Sequence, residues 1–416
     1  MGDTGADPDG PGPPRPKNLF YPPVRLGGAQ WAVSQVDFQL SKAQEMIRTT
    51  IRSFAEAEIA PTVQERDETE EFPTALVPQL SALGLFGLNI PNEFGGSQVD
   101  AVSYAIAIEE LSRVDPSVGV CIAVHNSVAA YPILDFGTPE QKRRWLPELA
   151  SGKRIGGFCL SEANAGSDAA GVETTATRDG EDWVLNGTKL WSTNGGSSGL
   201  YIMIAVTDKA APRGRGLSAF IVERERQGLS LGVKEHKLGI RSSDTFEIVL
   251  DGVRVPQDHL VGALGKGLSI ALGTLDGGRI GIGAQAVGIA QAALEEAVTY
   301  AKQREQFGRP IAELQPIQWR IADIATELQA ARLMVYQASD LKDRRLPYTR
   351  QAAMAKLFAS EACIRAVHNA LQIHGGYGYT KDYPIERLYR DARITTIYEG
   401  TSEIQRLVIA RSLLEK

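Results

Sequence analysis

The chain is poor in the residues that build metal centres and disulfide frameworks. Only three of its 416 residues are cysteines, and Cys121, Cys159 and Cys363 lie far apart without forming a CxxC pair. The five histidines show no HExxH spacing. These patterns argue against a metal site and against a disulfide scaffold, and they indicate a protein of a reducing compartment.

The chain also has no excess of positive charge and no long apolar run. The formal net charge is −6, so the chain has no basic field that would attract nucleic acid. No apolar run approaches the length that spans a membrane. The N-terminus lacks the basic start and apolar core of a signal peptide, and Ala6 breaks the myristoylation pattern. We therefore expect a cytoplasmic protein with neither a nucleic acid nor a membrane as partner.

The first third of the chain changes composition near residue 38. Residues 1–38 are rich in Gly, Pro and Asp, which cannot bury enough apolar surface to offset chain entropy. This stretch is predicted to be a disordered or loosely docked extension. From 39 to 153 the apolar residues recur at helical spacing, and Thr138-Pro139 has the form of an N-cap followed by Pro at the first helical position. An N-terminal α-helical domain is predicted there.

The period of the apolar residues changes again after residue 153. Within 154–262 there are short strand-like runs, and Asp179-Gly180 and Asn186-Gly187 are strong hairpin signals. The runs are 156–160, 172–177, 183–185, 201–205, 217–221 and 246–250. They predict a middle β-barrel or β-sandwich domain. Long helical patterns return over 263–416 and predict a C-terminal four-helix bundle. The fold class is therefore α+β and multidomain, with helices on both sides of a β-domain in the sequence.

Two glycine-rich stretches resemble nucleotide-binding motifs and fail the test of context. Gly281-Ile-Gly283-Ala-Gln-Ala286 matches GxGxxA, but it lies in a helical run with no strand before it. Close helix packing is the better interpretation. The stretch Gly262–Ser269 fails the P-loop spacing because residue 260 is Leu. Kinase and NTPase functions are excluded on this basis.

The segment from Gln372 to Gln405 carries two features that can serve chemistry. A glycine cluster, Gly375-Gly376-Tyr377-Gly378, ends an apolar helical run, and glycines allow backbone N–H groups to hold a phosphate. Glu399 follows the apolar-leaning run 394–397, and an apolar pocket raises the pKa of a carboxyl group, as suits a proton acceptor. Taken alone, the glycines also fit a helix C-cap, and Glu399 also fits a solvated loop acid or part of an N-cap.

These motifs together resemble the acyl-CoA dehydrogenase family. The C-terminal pattern runs from Gln372 through the glycines to Asp382, Arg387 and Asp391. The stretch Cys159–Asp168, with the sequence CLSEANAGSD, is similar to the N-terminal pattern of the family at every fixed position. The resemblance covers about residues 40–416 in order. The stretches TLDGGRIGIGAQAVGIAQAAL and ARITTIYEGTSEIQRLVIA are most similar to short-chain, butyryl-type members.

The resemblance implies the reaction and its base. It implies α,β-dehydrogenation of an acyl-CoA thioester to the trans-2-enoyl-CoA, with FAD as cofactor. Glu399 would remove the α-proton while flavin N5 takes the β-hydride. Some members of the family carry the base immediately before the arginine that stands here as Arg279. That residue is Gly278, which cannot accept a proton, so Glu399 is the only candidate at either position.

The resemblance also implies the residues that bind FAD. Ser161 would bond the pyrimidine edge of the flavin, Trp191 would cover the ring, and Thr193 would bond N5. Arg304 offers a planar fork of donors to phosphate oxygens, and in the family it reaches FAD held mainly by an adjacent subunit. The implied set is Phe158, Leu160, Ser161, Ser167, Trp191, Ser192, Thr193, Arg304, Phe307, Gln315, Gln372, Gly375, Gly376, Thr401, Ser402 and Glu403.

The implied partners follow from the same resemblance. The acyl-CoA would contact Ser167, Asp276, Arg279, Tyr398 and Gly400. Electron-transfer flavoprotein is the expected electron acceptor, and a homotetramer or homodimer is the expected assembly. Several alternatives stay open: an oxidase that uses oxygen, a carrier-protein-bound acyl substrate, a branched substrate such as isobutyryl- or 2-methylbutyryl-CoA, and a non-catalytic flavin- or acyl-CoA-binding relative.

Overall fold

The N-terminal region is helical, as its periodicity predicts. The computed structural model describes residues 39–414, so the extension predicted over 1–38 lies outside the described residues. Ser41 caps the first helix through a capping box with Gln44, and Thr138 caps the seventh in the same way with Pro139 at its first position. The helices are α1 (Lys42–Phe54), α2 (Val63–Thr69), α3 (Val77–Ala82), α4 (Ala101–Val114), α5 (Pro116–Val124), α6 (Tyr131–Phe136) and α7 (Pro139–Ala150).

One apolar stretch of this region is buried along nearly its whole length. The helices α5 and α6 are joined through a π-helical turn at His125–Ala130, so Pro116–Phe136 forms one continuous helical segment. Contrary to the expectation from the sequence, it is long and apolar enough to cross a membrane, yet 89% of its apolar 18-residue stretch is buried inside the protein. Such burial is typical of a core helix.

The middle region is an eight-stranded sheet. Its strand order is β6-β7-β3-β2-β4-β5-β8, and β1 pairs in parallel with β4. Two strands, β6 and β8, lie outside the runs that the sequence predicts. The strands are β1 (Ile155–Cys159), β2 (Thr175–Asp179), β3 (Asp182–Thr193), β4 (Ser198–Val206), β5 (Leu217–Glu223), β6 (Leu229–Lys234), β7 (Thr245–Val255) and β8 (Leu260–Val261).

Of the two predicted hairpin turns, one is confirmed and one is wrong. The turn at Asp179-Gly180 joins the antiparallel strands β2 and β3. Asn186-Gly187 instead lies inside β3, where the pairing with β7 shifts register. Gly187 has φ 145°, and a Cβ there would stand 2.5 Å from Thr174 Oγ1. The glycine therefore permits a bulge within β3 and the close approach of Thr174, and it does not form a hairpin turn.

Strand β4 shows why strands of the middle region have continuous apolar sequences. Leu200, Ile202 and Ile204 face a core shared with α7 and α8, whereas the alternate residues face a second core inside the sheet. Both faces of the strand are buried, so neither face carries the polar alternation of a half-exposed strand.

The C-terminal region is helical, as predicted. Four long helices, α8, α9, α10 and α12, form it together with the short α11, and α10 packs against α8, α9 and α12. The GxGxxA stretch lies within α8, where Gly281 leaves room for the Tyr104 hydroxyl of α4. The elements are α8 (Gly267–Gln303), β9 (Glu305–Gln306), β10 (Arg309–Pro310), α9 (Gln315–Asp343), α10 (Thr349–His374), α11 (Ile385–Ala392) and α12 (Ser402–Leu414).

Candidate active site

Glu399 lies in a tight, left-handed stretch of backbone between α11 and α12. Its φ is 50° and that of Gly400 is 93°. A non-glycine residue in this conformation persists only where the surroundings fix it. Part of the residue reaches the surface, but both carboxylate oxygens are buried, and within residues 39–414 neither has a hydrogen-bond partner. A buried carboxylate without partners is costly to ionise and therefore basic.

Helix α8 passes directly beside this carboxylate. A Cβ at Gly278 would overlap the Glu399 Oε2 atom, so the space that the carboxylate occupies exists because residue 278 has no side chain. The next residue, Arg279, is buried and donates from Nη1 to Asp276 Oδ1 at 2.5 Å. Thr349 Oγ1 donates to the other carboxylate oxygen of Asp276, also at 2.5 Å. The Glu399 carboxylate thus occupies the space that a side chain at position 278 would fill. Arg279 provides a fixed cation nearby.

Two buried side chains donate hydrogen bonds to the backbone carbonyl oxygens of Glu399 and Gly400. Lys356 of α10 donates from Nζ to the Gly400 carbonyl oxygen at 2.8 Å. Gln405 of α12 donates from Nε2 to the carbonyl oxygens of Glu399 and Gly400, at 3.2 and 2.9 Å. These bonds fix the strained backbone from two helices, so the carboxylate is presented in one direction.

The electrostatics of the site follow from burial and two cations. Burial raises the pKa of Glu399 to about 7, against the opposing effect of Lys356 and Arg279. Burial lowers the pKa of Lys356 to about 8, opposed chiefly by the charge of Glu399. Burial also raises the pKa of Asp276, against its bond from Thr349. Glu399 can therefore gain and lose a proton near neutral pH.

An apolar surface adjoins the base through its neighbour, Tyr398. The Tyr398 hydroxyl donates to Gln285 Oε1, and Gln285 Nε2 donates to the Pro116 carbonyl oxygen at 2.8 Å. We call the surrounding apolar residues the site cluster: Val120, Val124, Val128, Ile240 and Ile282, with Phe158, Leu275, Ile394 and Tyr398 packed against them.

The first group of predicted flavin residues lies on and next to strands β1 and β3, and Phe158 connects it to the site cluster. Phe158 of β1 packs against this cluster, as Tyr398 does. The Leu190 N–H donates to the Ser161 carbonyl oxygen at 2.9 Å, which ties β3 to the residues that follow β1. Ser192 is buried and bonds Cys159 Sγ at 3.2 Å, and Thr193 next to it is half-buried. Leu160 is buried as well.

Trp191 departs from what its strand position alone favours. A tryptophan in a strand normally enters a core, but Trp191 is 59% exposed and has φ 60°, at a register shift between β3 and β7. The bulge turns the indole away from the sheet. An exposed ring held on a fixed backbone bulge fits a surface against which a planar group is bound.

A second group of predicted residues lies at the other end of the helical region. Helix α8 has 37 residues, about 55 Å of length, with Gly278 in its first third and Arg304 just past its last residue. Phe307 projects from the β9–β10 hairpin and is 89% exposed. Exposed Gln315 begins α9, and exposed Gln372, Gly375 and Gly376 lie at the end of α10.

The glycines of this second group face open space. Gly375 has φ 59° and ψ −134°, a conformation reserved for glycine. Among the described residues, no atom lies within 4 Å of a Cβ at Gly375 or Gly376. The Arg304 guanidinium stands over the Tyr377 ring, 5.5 Å from its centroid. Backbone N–H groups and an arginine at one surface suit a phosphate-containing ligand, so the residues present fit FAD.

The remaining predicted residues occupy different settings. Thr401 Oγ1 accepts from the Ile404 N–H at 3.3 Å and so caps α12, whose first turn contains buried Ser402 and exposed Glu403. Ser167 lies on an exposed loop beside Asp168, which pairs with Arg213. Ser167 is thus open to a ligand without being enclosed by the site.

Several residues that shape this site were not predicted from the sequence. Lys356 lies in the apolar stretch AAMAKLFA, and a single charge within such a stretch is the signal that would have pointed to it. Ile240 reaches the site cluster because its N–H donates to buried Asp391 Oδ1 at 2.5 Å. Gly239 permits this docking, since a Cβ there would overlap the Arg390 backbone. Gln405 gave no signal of its own.

Comparisons with known proteins agree with this geometry. Three family models match the chain: the acyl-CoA dehydrogenase N-terminal domain over residues 41–153, the middle domain over 157–253 and the C-terminal domain over 265–414. The chain is 50% identical to the mitochondrial short-chain specific acyl-CoA dehydrogenase of Bos taurus over 377 residues, which cover 91% of each protein.

Solved structures show the same similarity. The butyryl-CoA dehydrogenase of Megasphaera elsdenii superposes with a TM-score of 0.90 at 43% identity, over 91% of this chain and all of that one. A chain from a structure described as the electron transferring flavoprotein of Acidaminococcus fermentans has a TM-score of 0.90 at 45% identity, over 92% of this chain and all of that one. The protein therefore belongs to the acyl-CoA dehydrogenase family and is an FAD-dependent enzyme that dehydrogenates acyl-CoA thioesters.

Proposed function

We propose that Glu399 is the base that removes the α-proton of a short-chain acyl-CoA. The observation that carries this proposal is the buried, unpartnered Glu399 carboxylate facing the space left by Gly278. A carboxylate with a pKa of about 7 is matched to proton abstraction at neutral pH. FAD, when bound, supplies the acceptor for the hydride that leaves the β-carbon, and the product is the trans-2-enoyl-CoA.

The chain's own residues have three tasks in this proposal. The site cluster excludes water from the acyl group, and a dry environment keeps Glu399 basic. Arg279 and Asp276 orient the thioester side of the substrate, with Ser167, Tyr398 and Gly400 as further contacts. Phe158, Leu160, Ser161, Trp191, Ser192 and Thr193 hold the flavin ring.

We propose that a second copy of the chain completes the cofactor site, in a homotetramer or a homodimer. The separation along α8 supports this proposal, because Arg304 and the α10 glycines lie far from Glu399. Exposed aromatic rings at the same end, Phe307, Tyr379 and Trp319, are typical of an interface. Light scattering of the holoenzyme gives the assembly size. The residues assigned to this half of the cofactor site are Arg304, Phe307, Gln315, Gln372, Gly375, Gly376, Thr401, Ser402 and Glu403.

The chain length of the substrate is proposed from similarity. Identity of 50% to a short-chain specific enzyme and 43% to a butyryl-CoA dehydrogenase supports an unbranched substrate of about four carbons, with short branched acyl-CoAs as the rival. Turnover against saturated acyl-CoAs from butyryl to palmitoyl, with isobutyryl- and 2-methylbutyryl-CoA included, tests it. A maximum at long chains contradicts the proposal.

We propose electron-transfer flavoprotein as the electron acceptor and the cytoplasm as the location. The similarity to a chain from an electron transferring flavoprotein structure supports the acceptor. Three free, buried cysteines support a reducing compartment. Hydrogen peroxide yield under air separates this acceptor from oxygen, because an oxidase forms peroxide in step with turnover. The matched family regions support domains at 39–153, 154–262 and 263–416.

The decisive experiment is anaerobic titration of the flavin-containing protein with butyryl-CoA. The visible flavin absorbance of the wild type is expected to bleach. Glu399→Gln keeps the size of the side chain and removes the base, so it is expected to retain FAD and to bleach slower by orders of magnitude. Bleaching of Glu399→Gln at the wild-type rate contradicts the assignment of the base.

A further inference from the structure

Lys356 is a buried cation that has no carboxylate bonded to it among residues 39–414. Its side chain is fully buried in α10, and its Nζ donates to the Gly400 carbonyl oxygen. Burying an ammonium group is costly unless a negative charge lies near it. The carboxylate of Glu399 is the largest influence that favours the Lys356 cation, yet it receives no hydrogen bond from it. The two charges therefore interact across a gap.

This separation has a chemical consequence. A direct bond from the ammonium group would stabilise the carboxylate so strongly that it would lose basicity. A cation held at a distance favours the ionised carboxylate through its charge alone and leaves both oxygens free to take a proton. The bond to the Gly400 carbonyl keeps Lys356 in that position, because it engages the ammonium group with the backbone one residue beyond the base.

The other charged and titratable groups around the pair act less directly. Arg279 of α8 opposes the rise in the Glu399 pKa after Lys356, and it is itself paired with Asp276. The remaining groups are the phenols of Tyr104 on α4 and Tyr398, whose pKa values are raised by burial and by Glu399, and the carboxylates of Glu361 on α10 and Glu403 on α12, which act on Lys356.

We propose that Lys356 is a positioning residue for the reaction: it fixes the backbone of the base through Gly400 and sets the pH at which Glu399 becomes ionised. This inference rests on the proposed role of Glu399 as the base. It assigns to α10 a function in proton abstraction that neither the glycine cluster at its end nor its packing requires.

Three substitutions separate the two parts of this role. Lys356→Gln removes the charge and retains a donor for the Gly400 carbonyl. Lys356→Met removes both, and Lys356→Arg retains the charge. The pH dependence of kcat/KM for butyryl-CoA, measured on FAD-loaded protein, reports the ionisation of Glu399 in the free enzyme.

For Lys356→Gln we expect the acidic limb of the profile to move to higher pH by roughly one unit or more, since an opposite charge nearby shifts a carboxyl pKa by 1–3 units. Activity is expected to recover on the alkaline side with KM little changed. Lys356→Met is expected to be slower at every pH, and Lys356→Arg to keep the wild-type limb. An unshifted limb in Lys356→Gln, or an equal shift in Lys356→Arg, overturns the proposal.

A control and a second readout complete the test. Ser360→Ala removes a buried hydroxyl one turn along α10 and is expected to leave the limb in place. Infrared spectra against pH, with Glu399→Gln as the reference, report the protonated Glu399 carboxyl directly, and its band is expected to persist to higher pH in Lys356→Gln. If Glu399→Gln itself retains the wild-type rate, the proposed function fails. If Glu399→Gln is inactive and the Lys356→Gln limb is unshifted, only the inference fails.

Discussion

Two buried lysine–carboxylate pairs within residues 39–414 differ in the hydrogen bonds of the carboxylate. In the β-domain, Lys189 Nζ donates to Glu162 Oε1 at 2.6 Å, and Glu162 also accepts from the N–H groups of Glu173 and Thr174 at 2.7 and 3.0 Å. Beside α8, the Glu399 oxygens accept no hydrogen bond within residues 39–414. Each pair has a fully buried lysine.

The difference decides what each carboxylate can do. Burial disfavours the charge of Glu162, but Lys189 and the hydrogen bonds hold its pKa below the ordinary value. Burial raises the pKa of Glu399 to about 7, and Lys356, which is bonded to Gly400 instead, opposes this rise through its charge alone. A carboxylate whose hydrogen-bond acceptors are all occupied, such as that of Glu162, has a structural role. A carboxylate that accepts no hydrogen bond from the described residues, such as that of Glu399, is free to accept a proton. Proximity to a lysine therefore does not by itself distinguish a structural ion pair from a catalytic base.

The largest expected effect is the loss of stability when the hydrogen-bonded Lys189–Glu162 pair is broken. Glu162→Gln leaves the Lys189 cation buried without its counter-ion, and removal of one partner from a buried pair costs about 3–5 kcal/mol. Urea unfolding at pH 8 measures it. Glu399→Gln is the matched variant and is expected to lose no stability at this pH, since the Glu399 carboxylate accepts no hydrogen bond within residues 39–414 and its raised pKa makes its charge unfavourable to the folded state. Equal destabilisation of both variants contradicts the contrast between the pairs.

The next effect concerns the space beside the base. Gly278→Ala places a methyl group where the Glu399 carboxylate lies, so the carboxylate must move, and a displacement of about 1 Å lowers the rate roughly 100-fold. Flavin reduction by butyryl-CoA measures it. Gly273→Ala on the same helix is the control, because no described atom lies within 4 Å of a Cβ there. A wild-type rate in Gly278→Ala shows that the Glu399 carboxylate does not need the space beside Gly278.

The sequence predicted the part of this arrangement that depends on local pattern. The helix–sheet–helix order and the apolar stripe of α9 around Leu328 follow from periodicity, and Thr138 follows from capping chemistry. The resemblance to the family directed attention to Glu399. The contact between Lys356 and Gly400 joins residues 44 apart in sequence, so it depends on how α10 packs against the following segment, which no local pattern encodes.

The errors have equally physical causes. Asn186-Gly187 has the sequence of a tight turn, but the close approach of Thr174 and the pairing with β7 keep it within β3. The strand Leu229–Lys234 is half-exposed along most of its length and pairs on one side only, so its sequence lacks the apolar run of the central strands.

A smaller effect is the pH dependence of stability, which has opposite signs for the two carboxylates. The folded-state pKa of Glu399, about 7, exceeds its ordinary value of 4.5, so the wild type loses stability as pH rises through this window. The free energy of unfolding of Glu399→Gln is therefore expected to rise relative to that of the wild type, by roughly 1–3 kcal/mol as the pH increases from 5 to 8.

The stabilising contribution of Glu162 runs the other way. Its folded-state pKa is lowered, so the contribution is present above the unfolded-state pKa and is lost as pH falls through the folded-state value. The deficit of Glu162→Gln is therefore expected to shrink in acid. Thermal melts of both variants and the wild type, from pH 8 down to well below the ordinary glutamate pKa of 4.5, measure the two slopes, and slopes of the same sign contradict the assignment of opposite environments.

The pH dependence of wild-type kcat/KM for butyryl-CoA shows whether Glu399 is a buried base that accepts no hydrogen bond from residues 39–414. We predict an acidic limb near pH 7, in line with the raised pKa of Glu399. A limb near the ordinary glutamate pKa of 4.5 would contradict this role, because that value belongs to a solvated carboxylate.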